Sequence, residues 1–400
     1  LPIIEAPAPK DARMNAPRLP LALSLILAAL AANAQVVGVA VDSKAILVDG
    51  QSVIAAKPAG DSAVFFKLDG GELRRLGEVK LPTSYLGPPE SLAVSARGDL
   101  ALVVSSSRVD AADPKAYAND DTLSVVDLSG KTPRLSKTLA LGVRPSSVKF
   151  HPGGAMAVVA SNPDNALVWL SIRDGKVAIA DKQVLDAGRG PLTVSFSADG
   201  KRMLVAQADA QRVSLYALEN ERIKTPPIRD MVAGVTPFTV AYCGDSGLAV
   251  VGNFGIPDAG NGDIDTVSLI DTTGAKPRVI DTVAVGSAPE DVACSPDGRY
   301  AATTVQNMSN RPKDHPFYSP NSLVVLLKLE NRRLRRVAEA PIGAWAEGLV
   351  FGGDSRTVLA QSIDDRALHV LRVDGDTLKP ARAPIVFGNG APVGIGIAGR

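Results

Sequence analysis

Two adjacent carboxylates, Glu290 and Asp291, follow Pro289 and precede Cys294 in the stretch SAPEDVACSPDGRYAATT. A carboxylate pair suits general acid/base chemistry when burial or crowding keeps one member protonated near neutral pH. Two more glutamates, Glu90 and Glu347, hold the equivalent place in similar stretches, and Arg144 and Arg189 lie just ahead of the prolines of two others. His315, in KDHPFY, is the histidine placed to approach them. These types could assemble an acyl-transfer site: Glu290 or Glu347 as base, Arg144 or Arg189 stabilising an oxyanion, His315 assisting. The structural alternative is that such glutamates bond neighbouring backbone or pair with the arginines to hold the fold together.

Which of these residues can meet depends on a repeat. A proline or alanine, a short apolar run, a glycine turn and a second apolar run recur seven times, at intervals of 46 to 57 residues. Examples are PESLAVSARGDLALVVSS from Pro89, PSSVKFHPGGAMAVVASN from Pro145, AEGLVFGGDSRTVLAQS from Ala346 and a truncated PVGIGIAG from Pro392. Each full unit continues into a third apolar run (DTLSVVDL, DTVSLIDT, RALHVLRV) and a more polar fourth, as in LRRVAEAPIG. The D-G, G-G and S-G pairs are hairpin turns, because glycine reaches positive φ without steric cost. Four-stranded units at this period predict an all-β, seven-bladed β-propeller of antiparallel blades with strands a to d.

The C-terminus supplies a lone strand a, GIGIAG, so the ring is predicted to close by pairing it with N-terminal strands read as SVIAAK (b), SAVFFKL (c) and ELRRLGEVKL (d). AILVDGQSVIAA, residues 45–56, could instead be an extra strand a with its own turn, giving an eight-membered ring; seven is the preferred count.

The chain outside the repeat is informative too. Met14 to Arg18 is a short basic region, Leu19 to Leu30 an apolar run too short to span a bilayer, and Ala32-Asn33-Ala34 a small-residue cleavage pattern. Residues 14–34 therefore read as a secretory signal peptide, 1–13 as an upstream segment, and 35–400 as one exported domain, periplasmic or secreted after cleavage near Ala34, without a membrane anchor. A net charge of +1, from 43 basic and 42 acidic side chains, gives no general attraction to nucleic acid. Aromatics are 4% of residues, so the core must be built from Val, Ala, Leu and Ile.

The DTLSVVDL and DTVSLIDT strands, the SPDGRYAATT hairpin and the GSAPEDVACSPDG joint resemble the YVTN-type repeats of the lactonase-like seven-bladed β-propeller superfamily, over residues 36–400. The resemblance implies the fold. It spans sugar lactonases, muconate cyclases, cofactor-dehydrogenase propellers and binding proteins, so it leaves activity open.

Blade topology puts the d-to-a joints and b-to-c loops on one face and the a-to-b turns on the other. On the joint face, the residue after the anchor position runs Glu90, Ser146, Leu192, Phe238, Glu290, Glu347 and Val393 around the ring. Three b-to-c loops are long, 106–121, 253–265 and 306–321, the usual place for binding residues in a repeat protein. The expected ligand-binding set is Glu90, Arg189, Phe238, Asn253, Asn307 and Trp345, with a small molecule or protein at the central mouth of a monomer. No cofactor is evident. Asp258 and Asp263 could offer oxygens to a divalent cation such as calcium, although their spacing does not match an EF-hand loop. No zinc-type His/Cys cluster, CxxCH, GxSxG or phosphate loop occurs. Cys243 and Cys294 lie six and five positions after their prolines in neighbouring blades, so strand alternation predicts that they point apart and form no disulfide. The leading expectation is a binding propeller; the alternative is a lactonase- or cyclase-type enzyme.

Overall fold

The computed structural model describes residue 2 and residues 34–398, except 57, 86 and 257–261. Apart from Pro2 and Ala34, the upstream segment and signal peptide lie outside the described residues.

All regular elements among them are strands; apart from one two-stranded hairpin, they form seven antiparallel sheets in the order a-b-c-d. The inner strands are Leu92–Val94, Ser147–Phe150, Thr193–Phe196, Pro237–Tyr242, Pro289–Cys294, Ala346–Phe351 and Ala391–Ile397, for blades 1 to 7 in turn. Each touches the next, and the seventh touches the first, so the ring is closed. The b and c strands are almost wholly buried, being covered by a blade on either side, and so read as continuous Val/Ala/Leu runs. The larger aromatics fill single slots, as Trp169, Phe196 and Tyr216 do between blades 2 and 3.

A belt of hydroxyls ties neighbouring inner strands. Ser147 donates to the Leu192 carbonyl (2.8 Å), Thr193 to that of Phe238 (2.9 Å) and Thr239 to that of Glu290 (3.3 Å). Asp291 occupies the same place in blade 5, where its carboxylate accepts from the N–H of Val292 (2.8 Å) and of Leu349 in blade 6 (2.9 Å). Thr304 takes over the donor's role toward the Glu347 carbonyl.

Closure differs from expectation in one strand. Ala391–Ile397 pairs not with SVIAAK but with Gln35–Asp42, whose other edge pairs with Ser62–Asp69, followed by Glu72–Lys80. Gln35–Asp42 is buried from Val37 onward, whereas Gln51–Ile54 is largely exposed. Both are short apolar runs, and pattern alone does not say which one an inner strand will cover. Ala45–Val48 and Gln51–Ile54 instead form a separate hairpin inside the b-to-c loop of blade 7, turned by Asp49-Gly50 with both φ positive. An isolated two-stranded hairpin is marginal in water, and this one is held at both ends. Its Gly50 packs on Arg311 and Pro312 of the blade 5 loop so closely that a side chain would overlap them. At its root the buried Lys44 ammonium contacts the carboxylates of Asp42 (2.7 Å) and Asp61 and donates to the Thr83 carbonyl (2.9 Å).

The cysteines also depart from expectation: Cys243 and Cys294 are disulfide-bonded, with Cα atoms 5.1 Å apart. Alternation holds only inside a strand. Cys243 lies one residue beyond Pro237–Tyr242, where the chain enters the a-to-b turn, and its side chain there meets the adjacent inner strand ending at Cys294.

Candidate functional site

The beginnings of the inner strands bring Glu90, Glu290 and Glu347 around one channel, at equivalent places on blades 1, 5 and 6, with Asp291 next to Glu290. The three glutamates are under 9% exposed. Glu290 Oε2 accepts from Gln306 Nε2 at 2.6 Å, and Glu90 Oε1 from Lys149 Nζ at 2.8 Å. One oxygen of Glu90 and one of Glu347 are buried without a hydrogen-bond partner.

Electrostatics follow from that burial. Desolvation, with Asp291 alongside, pushes Glu290 up to about 8. Desolvation and the Glu90 charge push Asp291 up to about 7 despite its backbone donors. Glu347 is held well above the carboxylate range by burial and then by Glu290 and Asp291. Burial works against the Lys149 ammonium, but Glu90 and Asp291 more than offset it and its pKa is raised. The Lys149 side chain is nevertheless 38% accessible. Since protein surrounds it, the space it sees is the channel. Sequence reasoning passed over Lys149, although a lysine inside the otherwise apolar run SVKF was its signal.

The other expected catalytic residues do not join this group. Arg144 is exposed, its backbone N–H on Asp164 and its guanidinium on the Asn119 side chain (3.2 Å). Arg189 makes a two-bond pair with Asp230 (3.1 and 2.9 Å), which raises its pKa. His315 turns back on its own loop, its Nδ1 accepting from the Phe317 N–H. The Arg189 guanidinium is thus taken up by Asp230 and that of Arg144 by the Asn119 amide.

Above the channel the joint face carries aromatic rings. Trp345, with φ +57, stacks edge-on against Tyr85 at 6.0 Å, and Tyr85 lies 5.6 Å from Tyr117. Burial, then Tyr85, raises the Tyr117 pKa. Leu47 of the extra hairpin packs into the same cluster as Tyr85 and Trp345. Half-buried Phe238 lies 4.9 Å from Phe254. Asn307 braces its own loop by donating to Ser319 and the Asn321 carbonyl, and Asn253 donates to Thr266 and Ser268 beneath the blade 4 joint. The blade 1 loop is shorter than its sequence suggested, because strands Leu100–Val109 and Tyr117–Asp127 run on into it. Asp258 lies outside the described residues, and among those described no cluster of His, Cys, Asp or Glu, Asp263 included, is arranged to hold a metal ion.

No family model and no curated protein matches the sequence. Solved structures do match. A proposed 6-phosphogluconolactonase from Bacteroides uniformis superposes with a TM-score of 0.67 at 16% identity, over 91% of this chain and 99% of the other. This chain has the fold of a seven-bladed β-propeller. A periplasmic gluconolactonase from Pseudomonas aeruginosa matches this propeller with a TM-score of 0.59 at 15% identity, over 90% and 97% of the two chains. A functionally unknown protein from Desulfotomaculum acetoxidans gives 0.63 at 14%, over 84% and 96%. At such identities the likeness is one of fold.

Proposed function

We propose that this propeller is a binding protein that captures a small molecule at the joint-face mouth of its channel. One observation carries the reading: the channel gathers three buried glutamates, while the arginines and the histidine that acyl transfer would require are engaged elsewhere. A base without an oxyanion stabiliser forgoes what is commonly the largest catalytic contribution. A second reading, lactone hydrolysis, draws on Glu290 and Asp291, whose raised pKa values near 7 to 8 suit proton transfer at neutral pH.

Trp345 provides the test. It lies in the joint directly ahead of the blade 6 inner strand, packed on Tyr85, while the other tryptophan, Trp169, is buried between blades 2 and 3. Adding D-glucono-1,5-lactone is expected to change Trp345 emission, an effect absent in Trp345→Phe, without hydrolysis beyond the buffer rate. Hydrolysis that disappears in both Glu290→Gln and Glu347→Gln would replace the binding reading with the enzymatic one. Unchanged emission with no hydrolysis would exclude the lactone as ligand and count against the enzymatic reading.

The protein is further proposed to work outside the cytoplasm. This is supported by the leader pattern at residues 14–34 and by the Cys243–Cys294 bridge, which suits an oxidising compartment. Expressing residues 14–400 in a bacterium should deliver periplasmic protein that begins at Gln35 and has no titratable thiol. Protein retained in the cytoplasm with an intact N-terminus contradicts export.

A further inference from the structure

We propose that the channel mouth accepts a small primary amine, with its ammonium group among Glu90, Glu290 and Glu347 and its apolar tail against Leu192, Phe238 and Val393. This names the ligand class and rests on the binding reading above.

The first argument is charge. The groups that act on one another here are four carboxyls, Glu90, Glu290, Asp291 and Glu347, and one ammonium, Lys149. Lys149 is taken up by Glu90. Among the described residues neither Glu290 nor Glu347 has a basic partner in an ion pair. A buried carboxylate without a counter-charge is costly, so it either holds a proton or waits for a cation.

The second argument is hydrogen bonding. Oε2 of Glu90 and Oε2 of Glu347 are buried and unpartnered, in residues that are 8% and 3% exposed. Native structures rarely leave such atoms unsatisfied without a role for them. A primary ammonium carries three donors in different directions and can serve several oxygens at once. Among the described residues no group of His, Cys, Asp or Glu is arranged to hold a metal ion, whereas an organic ammonium brings hydrogen-bond donors that such oxygens lack.

The third argument is the rest of the ring. Leu192, Phe238 and Val393 stand where other blades place glutamate, and Phe238 and Glu290 are linked through Thr239, whose hydroxyl bonds the Glu290 carbonyl. A phenyl face attracts a cation, and the aliphatic side chains suit a short hydrocarbon tail. A carboxylate ligand would meet repulsion, and a neutral polyol would leave the apolar arc unused.

The test is calorimetric titration of the full domain with n-butylammonium chloride, n-butanol, sodium butyrate and D-glucono-1,5-lactone, at about pH 6 and about pH 8. The amine stays charged throughout, as a lysine ammonium does, so any pH effect reports on the protein. Butylammonium is expected to bind at least roughly tenfold more tightly than butanol or butyrate, about 1.4 kcal/mol. Its binding should release protons and tighten toward the higher pH as the channel carboxyls ionise. A Glu290→Gln/Glu347→Gln variant, first shown to be folded by its unfolding midpoint, should lose roughly tenfold or more of that affinity. Equal binding of butanol and butylammonium, or amine affinity unchanged in the double variant, overturns the proposal. If the lactone binds and the amine does not, the amine assignment falls and the binding reading stands. If nothing binds, both fall.

Discussion

Raising the pH from about 5 to about 8 is expected to lower the unfolding midpoint by roughly 5–8 °C. The cause is the channel, where burial and mutual repulsion raise the pKa values of Glu290, Asp291 and Glu347 in the folded state. An acid whose folded pKa exceeds its unfolded value binds more protons in the folded state, so its contribution is intact below the unfolded pKa and is lost as pH rises. The window runs from ordinary carboxylate values near 4 up to about 8, where Glu290 finally ionises. For Glu290 the shift corresponds to about 5 kcal/mol. The Lys149–Glu90 pair lies among them, yet Lys149 stays charged throughout this window and does not reverse the sign. Glu290→Gln and Glu347→Gln should each flatten the profile and raise the midpoint at pH 8, because an amide fills the same space without ionising. Thermal unfolding followed by circular dichroism from pH 5 to pH 9 is the measurement. A midpoint that climbs over this range would mean that the carboxyls are ionised in the folded protein.

Lys44→Met is expected to cost about 3–5 kcal/mol at neutral pH, read as a lower denaturation midpoint in urea. Methionine keeps the length of the side chain but removes the ammonium from between Asp42 and Asp61, leaving two carboxylates beside each other under the blade 7 hairpin. Burial already raises the Asp42 pKa while Lys44 lowers it, so losing the lysine drives Asp42 higher still. Protonation then relieves part of the damage. The deficit relative to wild type should therefore shrink as pH falls toward about 4. A pH-independent deficit would show that lost packing, not the stranded charge, dominates. Amide exchange in residues 45–54 should also quicken, because the hairpin has few supports besides its root, its Gly50 contact and Leu47.

Much of the architecture was legible in the chain. A proline, an alternating run and a glycine turn recur because each blade solves the same packing problem, and the inner strands lie where that refrain placed them. The misreadings occur where local pattern meets non-local choice. Gln35–Asp42 and Gln51–Ile54 are both short apolar runs, and only the pairing of Ala391–Ile397 with the first decides which is central. Cys243 was assigned a direction by an alternation that ends one residue before it.

The site was partly legible for the same reasons. Glu90, Glu290 and Glu347 share a place in the repeat, so the fold had to bring them to one ring. Arg144 and Arg189 precede their anchor prolines, and their guanidinium groups are taken up by Asn119 and Asp230 rather than by the glutamates. Asp291, at first the obvious partner for Glu290, occupies the hydroxyl belt and spends its oxygens on two backbone N–H groups. Tyr85 and Tyr117 come from segments without repeat signals, and only the closed ring places them beside Trp345.

The central claim is that the ring of residues following the anchor prolines is where this propeller meets its ligand. The most direct measurement is a crystal structure after soaking separately in n-butylammonium chloride and D-glucono-1,5-lactone. The account predicts ordered density for at least one of them in the channel mouth, within hydrogen-bonding distance of Glu347 or Glu90 and in contact with Phe238. Density for both confined to outer blade surfaces, with water in the channel, would contradict it.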